Sequence, residues 1–311
     1  MTSRKLATLL LLAIYLATPC VLAQPDFSKV QIKATKVAGA VYMLEGNGGN
    51  IGVSVGDDGI VIVDDQFAPL AGKIREALKS ISDKPIRFVL NTHFHGDHAG
   101  GNVEFGKEAT IIAHENVRKR LAEGTVIAGE TKPAEPASLP VITFNDRATV
   151  HVNGEDIRAI HFPHGHTDGD SVILFPKSNV VHMGDDFVTY GFPYVDVRSG
   201  GSVSGIIAGC EKVLGMTSPD VKFIPGHGPI STPADVRKYV EMMKATRALV
   251  ADALKGGKTV DEIKKDHLLA KYDDYSKGFI KTDAWIDVLI ADIQQKPGSE
   301  DYQKHGHANE K

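Results

Sequence analysis

Short runs of β-branched residues, broken by Gly-rich or Asp-Gly turns, open the pattern from residue 40 onward. Residues 40–45 (AVYMLE), 50–55 (NIGVSV) and 59–64 (GIVIVD) each predict a strand. The spacing then changes. Leu70, Ile74, Leu78 and Ile81 recur at helical intervals and predict a helix over 69–82. Residues 86–91 (IRFVLN) and 109–113 (ATIIA) return to strand character, and the charged stretch 114–122 predicts another helix. Residues 130–140 carry three prolines and no apolar period, which predicts a loop crossing between two halves of one domain. The second half repeats the style, with strands expected at 141–144, 149–152, 157–161, 171–175 and 179–183. A helix at 203–213 and a strand at 221–224 follow.

The last part of the chain reads as helical. Thr232-Pro233 opens one helix with a capping hydroxyl and a proline at its first position, and Gly256-Gly257 stops it. Thr259-x-x-Glu262 is a capping box that opens a second. Trp285, Val288, Leu289 and Ile293 form one apolar face of a third, consistent with core packing. Strands first interleaved with helices and then flanked by them predict an α/β architecture, sheets covered by helices. The expected organisation is one domain over 26–256 and a helical extension over 258–297. A polar, flexible tail over 298–311 follows, in which His305 and His307 belong to solvent rather than to a site.

Residues 1–23 stand apart. Arg4 and Lys5 precede twelve almost wholly apolar residues (LATLLLLAIYLA), and Val21-x-Ala23 offers small residues for cleavage. That is the layout of a secretory signal peptide, and twelve apolar residues fall short of the ~20 a membrane helix needs. The expectation is export to the periplasm, or secretion, with no stable membrane association after cleavage. Without Arg4 and Lys5 the formal charge of −4 becomes −6. An acidic balance without clustered positive charge gives no footprint for nucleic acid. Of two cysteines in the full chain, Cys210 alone would remain, inside an apolar helical run where burial is expected.

Histidine is the count that changes the picture. The chain has 13, and ten of them lie between residues 93 and 227. The centre is Thr92-His93-Phe94-His95-Gly96-Asp97-His98-Ala99-Gly100-Gly101, directly after a predicted strand. An extended backbone sends His93 and His95 to the same side, so both can grip one ion. Asp97 and His98 follow as the chain bends into a helix and face a neighbouring position. Chance would give H-x-H-x-D-H in roughly two of every thousand chains of this composition. Further ligand-type groups sit beside glycines at predicted strand ends: PHGHTDG with His164 and His166, MGDD with Asp185 and Asp186, and PGHG with His227. Imidazole and carboxylate without thiolate suit zinc, and a carboxylate able to bridge suits a pair. His182, His161 and His151 are read as structural. His164 is read as structural or supporting a neighbouring ligand, and Asp186 as a solvent-side or supporting group beside a ligand. His114 caps its helix or lines the cleft.

The set THFHGDHAGG, GHT, GD and PGHG, with GIVIVDD before it, resembles the metallo-β-lactamase superfamily over roughly residues 41–227. The resemblance implies an αββα metallo-β-lactamase sandwich with metals at one edge, here followed by the C-terminal helical extension. By position, it implies that His93, His95 and His166 hold a first zinc and that Asp97, His98 and His227 hold a second. Asp185 would bridge them, and Asp64 would lie buried beneath the histidine loop. Two zinc ions per chain would share a water, present hydroxide to a carbonyl and stabilise the leaving atom. Asp97 would orient that nucleophile and pass a proton onward, so Asp97 and Asp185 are the expected catalytic residues.

The expected partner is a small-molecule acyl substrate. Export and the PGHG ending resemble β-lactamases of the three-histidine type, and β-lactam hydrolysis is the leading expectation. Two departures stand against it. Those enzymes carry cysteine where this chain has Asp185, and a carboxylate-anchoring lysine where it has Val188. An anchor would have to come from elsewhere, such as Arg198 or Lys222. The bridging aspartate looks like glyoxalase II, so a thioesterase or lactonase is the alternative. A zinc-binding accessory protein of a periplasmic oxidation system is a third.

Overall fold

The computed structural model describes residues 26–127 and 130–294. The expected signal segment and the expected tail, with His305 and His307, lie outside the described residues.

Two sheets face one another. The first runs Lys33–Ala38, Val41–Glu45, Ile51–Gly56, Gly59–Val63, Ile86–Leu90, Thr110–His114 and Ile142–Phe144. Its first four strands pair antiparallel, as short Gly-containing turns allow. From Gly59–Val63 onward the pairs are parallel. Such pairs need crossovers, and the helices Ala71–Lys79 and Asn102–Phe105 lie within two of them. The second sheet runs Arg147–Val152, Glu155–His161, Ser171–Phe175, Val180–His182 and Lys222–Ile224. Only its last pair is parallel, and the helix Val203–Met216 lies in that crossover.

Apolar side chains fill three layers. Val41, Met43, Val63 and Leu90 of the first sheet meet Ile157, Ala159, Ile173 and Ile224 of the second between the sheets. On the outer face of the first sheet, Leu70, Ile74 and Leu78 pack on Leu44, Ile51 and Val53. The outer face of the second takes the helices Val203–Met216, Pro233–Lys255 and Thr282–Gln294. This is the expected helix–sheet–sheet–helix order.

Two features depart from the expected elements. Residues 130–140 are not all loop, because Glu130–Lys132 pairs antiparallel with Thr125–Ile127. A two-stranded ribbon draws on backbone pairing and shows no apolar period of its own. Lys33–Ala38 was not expected as a strand. It is an edge strand with no fully buried residue, so its composition (KATKVA) gives little apolar signal.

The Gly256-Gly257 stop does end the helix Pro233–Lys255. Beyond it, Val260–Lys265 and Thr282–Gln294 send Ile263, Trp285, Ile286, Leu289 and Ile290 into the same core as Phe162, Phe192 and Val203. Among the described residues, no helix is long and apolar enough to cross a membrane.

Candidate metal centre

Four strand ends deliver the candidate residues to one edge of the sandwich. After Ile86–Leu90 the chain bends at Thr92 and His93, passes through an extended His95 and turns into the short helix Gly96–Ala99, so His93, His95, Asp97 and His98 gather within six residues. His166 comes from the loop after Glu155–His161, Asp185 from the turn Gly184–Asp186 after Val180–His182, and His227 from beyond Lys222–Ile224. Asp64 follows Gly59–Val63 with φ of 63°, a left-handed conformation that costs a non-glycine residue about 1 kcal/mol or more. That strain aims its carboxylate under the histidine loop.

The expected ligands converge. Ligand atoms of His93, His95 and His166 lie within 4.8 Å of one another, as do those of Asp97, His98 and His227, and those of His93, His98 and Asp185. Nε2 of His166 is 2.8 Å from Nδ1 of His95, and Nε2 of His98 is 3.3 Å from Nε2 of His227. Asp97 Oδ2 approaches His227 Nε2 to 3.2 Å. Asp185 spans both groups: its Oδ1 is 3.2 Å from His98 Nε2, and its Oδ2 is 3.7 Å from His166 Nε2.

The outer nitrogens of these rings are already committed. His98 Nδ1 donates to Asp64 Oδ2 at 2.7 Å. Thr92 Oγ1 donates to the same oxygen, which leaves it to accept from His93 Nδ1 at 3.0 Å. His166 Nδ1 donates to the Tyr194 carbonyl at 2.8 Å, and His95 Nε2 to Asp196 Oδ2 at 3.0 Å. Each commitment places the proton on the outer nitrogen and turns a lone pair inward. His93 Nε2 and Asp185 Oδ1 are buried without a hydrogen-bond partner. The inward lone pairs of His95 and His166, 2.8 Å apart, repel unless a cation lies between them, and with the convergent groups above the donor set fits metal ions in adjoining positions.

Charge points the same way. Burial would raise the Asp185 carboxyl, but His98, His227 and His166 hold it well below the usual carboxylate range. Asp97 likewise resists its burial and lies at about 2, beside His98 and His227. His227 is raised to about 9 against its own burial, because Asp185 and Asp97 face it. Three carboxylates, Asp64, Asp97 and Asp185, thus stand in a largely buried space that calls for positive charge.

The residues read as supporting are placed too. Asp186 is buried and accepts from the His166 backbone N–H at 2.9 Å; burial pushes its carboxyl up to about 7, next to the raised carboxyl of Asp170. His182 donates to the Asn50 carbonyl inside the sandwich. His114 caps the helix Glu115–Glu123 by accepting from Asn116 N–H and stacks on His161, with ring centroids 3.6 Å apart. His164 faces the Gly200 carbonyl. His151 is on the surface, paired with Asp156, rather than packed inside. Cys210 is buried and donates to the Asp186 carbonyl.

Asp196 and Tyr194 were not anticipated. Asp196 holds His95 and also accepts from Ser199 N–H, an Asp-x-x-Ser turn signature that the sequence does display. A cleft of about 640 Å³ opens over the centre, lined in part by Asp97, Asp185, Phe67, Tyr190, Tyr194 and Phe279. Neither Arg198 nor Lys222 lines it; both are exposed, and Arg198 lies near enough to Tyr194 to act on its hydroxyl.

The family profile described as the metallo-β-lactamase superfamily matches residues 44–278, most of the chain. The chain belongs to the metallo-β-lactamase superfamily. Among its relatives, the 2,4-dinitroanisole O-demethylase subunit alpha of Nocardioides sp. (strain JS1661) is 27% identical over 213 residues, 66% of this chain and 60% of that protein. The chain thus matches less than two thirds of that relative's length. A metallo-β-lactamase from Pontibacter korlensis superposes with a TM-score of 0.58 at 16% identity, over 69% of this chain and 99% of its own. The sec-alkyl sulfatase PisA1, as a double mutant, superposes with a TM-score of 0.63 at 16% identity, over 89% of this chain and 54% of its own. These likenesses show the fold, and their names span three different bonds.

Proposed function

We propose that the protein is an exported hydrolase that holds two zinc ions and cleaves an acyl bond of a small molecule. The observation that carries the reading is the position of Asp185, with one carboxylate oxygen toward His98 and His227 and the other toward His166. A carboxylate so placed bridges two sites. His93, His95 and His166 would hold one zinc, and Asp97, His98 and His227 the other. A zinc pair in this position would supply an activated water and polarise the scissile carbonyl.

The chain's own groups do the rest. Asp97 is part-exposed at the cleft floor, where its carboxylate can orient a water and accept its proton. Asp64, Thr92, Asp196 and the Tyr194 carbonyl fix which ring nitrogens point inward. The open cleft directly above the ligands supports an enzyme over a purely structural metal protein, whose sites are normally closed.

Among acyl bonds, the β-lactam amide is supported by the shared fold and by export. Against it, neither Arg198 nor Lys222 is among the residues that line the cleft, where a β-lactam carboxylate would need an anchor. Esters, thioesters and lactones make no such demand. Export rests on residues 1–23 alone and is tested by sequencing the N-terminus of protein recovered from the periplasm. The test of the function is to strip the purified protein with a chelator, restore zinc, and assay a carbapenem, a lactone, a thioester and an ester together. Two equivalents of zinc and zinc-dependent turnover are expected. Less than one equivalent in a folded sample, or turnover of none of the four, overturns the reading.

A further inference from the structure

The cleft is walled by rings and not by cations. Tyr190 stands 5.7 Å from His227 between ring centroids, and Tyr194 stands 5.9 Å from His95 and 5.7 Å from His166. Phe279 meets Tyr194 edge to face at 6.3 Å, and Phe67 closes another side. Among the described residues that line the cleft, none is Lys or Arg, and its charged carboxylates are Asp97 and Asp185.

Phe279 is the unusual member. It is 75% exposed, the most exposed large apolar side chain among the described residues, and Tyr194 beside it is 40% exposed. Nevertheless the backbone that carries it is fixed. Phe192 N–H donates to the Tyr275 carbonyl at 3.0 Å, and Phe192 and Ile280 form an isolated antiparallel bridge. The two segments press so close that a Cβ on Gly191 would collide with the Tyr275 carbonyl, and one on Gly278 with the Tyr190 carbonyl. A ring carried on fixed backbone, beside Tyr194 yet left in water, is a surface for an apolar occupant.

We propose that the cleft selects an uncharged ester bearing an aryl group, with the aryl ring packed against the exposed faces of Tyr194 and Phe279 and the carbonyl over Asp185. The proposal rests on the hydrolase reading and names its substrate class. Aryl rings gain edge-to-face and offset contacts beyond the area they bury. A carboxylate on the same ring would lose water against Tyr194 and Phe279, with no Lys or Arg in the cleft lining to pair it. The reaction joins the oxygen of water to the carbonyl carbon, breaks the acyl C–O bond and delivers the proton to the departing alcohol oxygen.

The experiment compares three acetates on the zinc-loaded full chain: ethyl acetate, benzyl acetate and 4-(acetoxymethyl)benzoate. Benzyl acetate should exceed ethyl acetate in kcat/KM by about tenfold or more, and the ring carboxylate should remove most of that gain. Phe279→Ala and Tyr194→Ala should each shrink the benzyl-to-ethyl ratio several-fold through KM, with zinc content unchanged. Independently of turnover, N-benzylacetamide should bind the zinc-loaded protein in calorimetry, and Phe279→Ala should weaken it by about tenfold. Turnover of the carbapenem, lactone or thioester but of no ester would overturn the aryl-ester assignment alone, whereas turnover of none of them would overturn the hydrolase reading. Turnover with a ratio near one, a ratio indifferent to both substitutions, or amide binding unaffected by Phe279→Ala would overturn the aryl assignment alone.

Discussion

Nδ1 of His95 and Nε2 of His166 face each other at 2.8 Å, and both are acceptors, because the opposite nitrogens donate to Asp196 and to the Tyr194 carbonyl. Two neutral imidazoles with these outer partners cannot hydrogen-bond to one another. The Asp196 carboxylate and the Tyr194 carbonyl together make a gap that only a cation or an extra proton satisfies.

Metal removal should therefore cost stability as well as activity. A ligand that binds only the folded state stabilises it by about 4 kcal/mol when present at a thousand times its Kd. For a chain of this size that corresponds to a melting temperature roughly 10 °C lower after chelation. Scanning calorimetry with and without a chelator checks it, and an unchanged melting temperature would count against metal in the gap.

Asp64→Asn and Asp196→Asn should separate the two sites. Asp64 orders His98 and, through Thr92, His93, while Asp196 orders His95. Substituting groups that orient ligands typically weakens metal binding about 10- to 100-fold. Zinc competition titrations should show both sites weakened in Asp64→Asn and mainly the first in Asp196→Asn. Equal effects on both sites in both variants would show that the assignment of partners is wrong.

Much of this centre was legible because ligands cluster where chain geometry is local. His93, His95, Asp97 and His98 are consecutive at one strand end, and His166, Asp185 and His227 each sit beside a glycine at another. Asp196 was not legible, since its partner His95 is 101 residues away and no period links them. Phe279 was hidden for the same reason: an aromatic beside a glycine reads as any loop until Gly278 packs against Tyr190 and sets the Phe279 ring beside Tyr194. The paired glycines 256 and 257 mark a true helix stop, but a stop in the chain does not divide the core beyond it.

The stacked pair His114 and His161 predicts a pH dependence. Burial, with His161 alongside, lowers His114 to about 4, below its unfolded value near 6.5. The unfolded chain then binds the proton more readily, so stability is full above pH 6.5 and falls as the pH drops toward 4. The loss from His114 should reach about 2 kcal/mol. His114→Asn keeps a side chain that can cap the helix Glu115–Glu123 and removes the titration. Denaturant melts of both proteins between pH 7 and 4, each without metal, should show a shallower decline for the variant. Parallel curves would remove His114 as a source of acid sensitivity.

Trp285 tests whether the C-terminal helices are an appendage or part of the fold. Its ring is fully buried, lies 5.4 Å from Phe192 in a stacked arrangement, and donates through Nε1 to Thr246 Oγ1 at 3.1 Å. Phe192 lies in sequence between Tyr190 and Tyr194, two cleft rings that contact metal-capable histidines, so the helix Thr282–Gln294 supports the cleft wall from behind. Trp285→Ala should cost about 3–5 kcal/mol through the cavity it leaves. Trp285→Phe retains a ring against Phe192 and loses chiefly the hydrogen bond, so it should cost less, about 1–2 kcal/mol. If the wall transmits the damage, Trp285→Phe should raise KM for an aryl ester while leaving zinc stoichiometry intact. A Trp285→Ala protein as stable as wild type would make the helices an appendage after all.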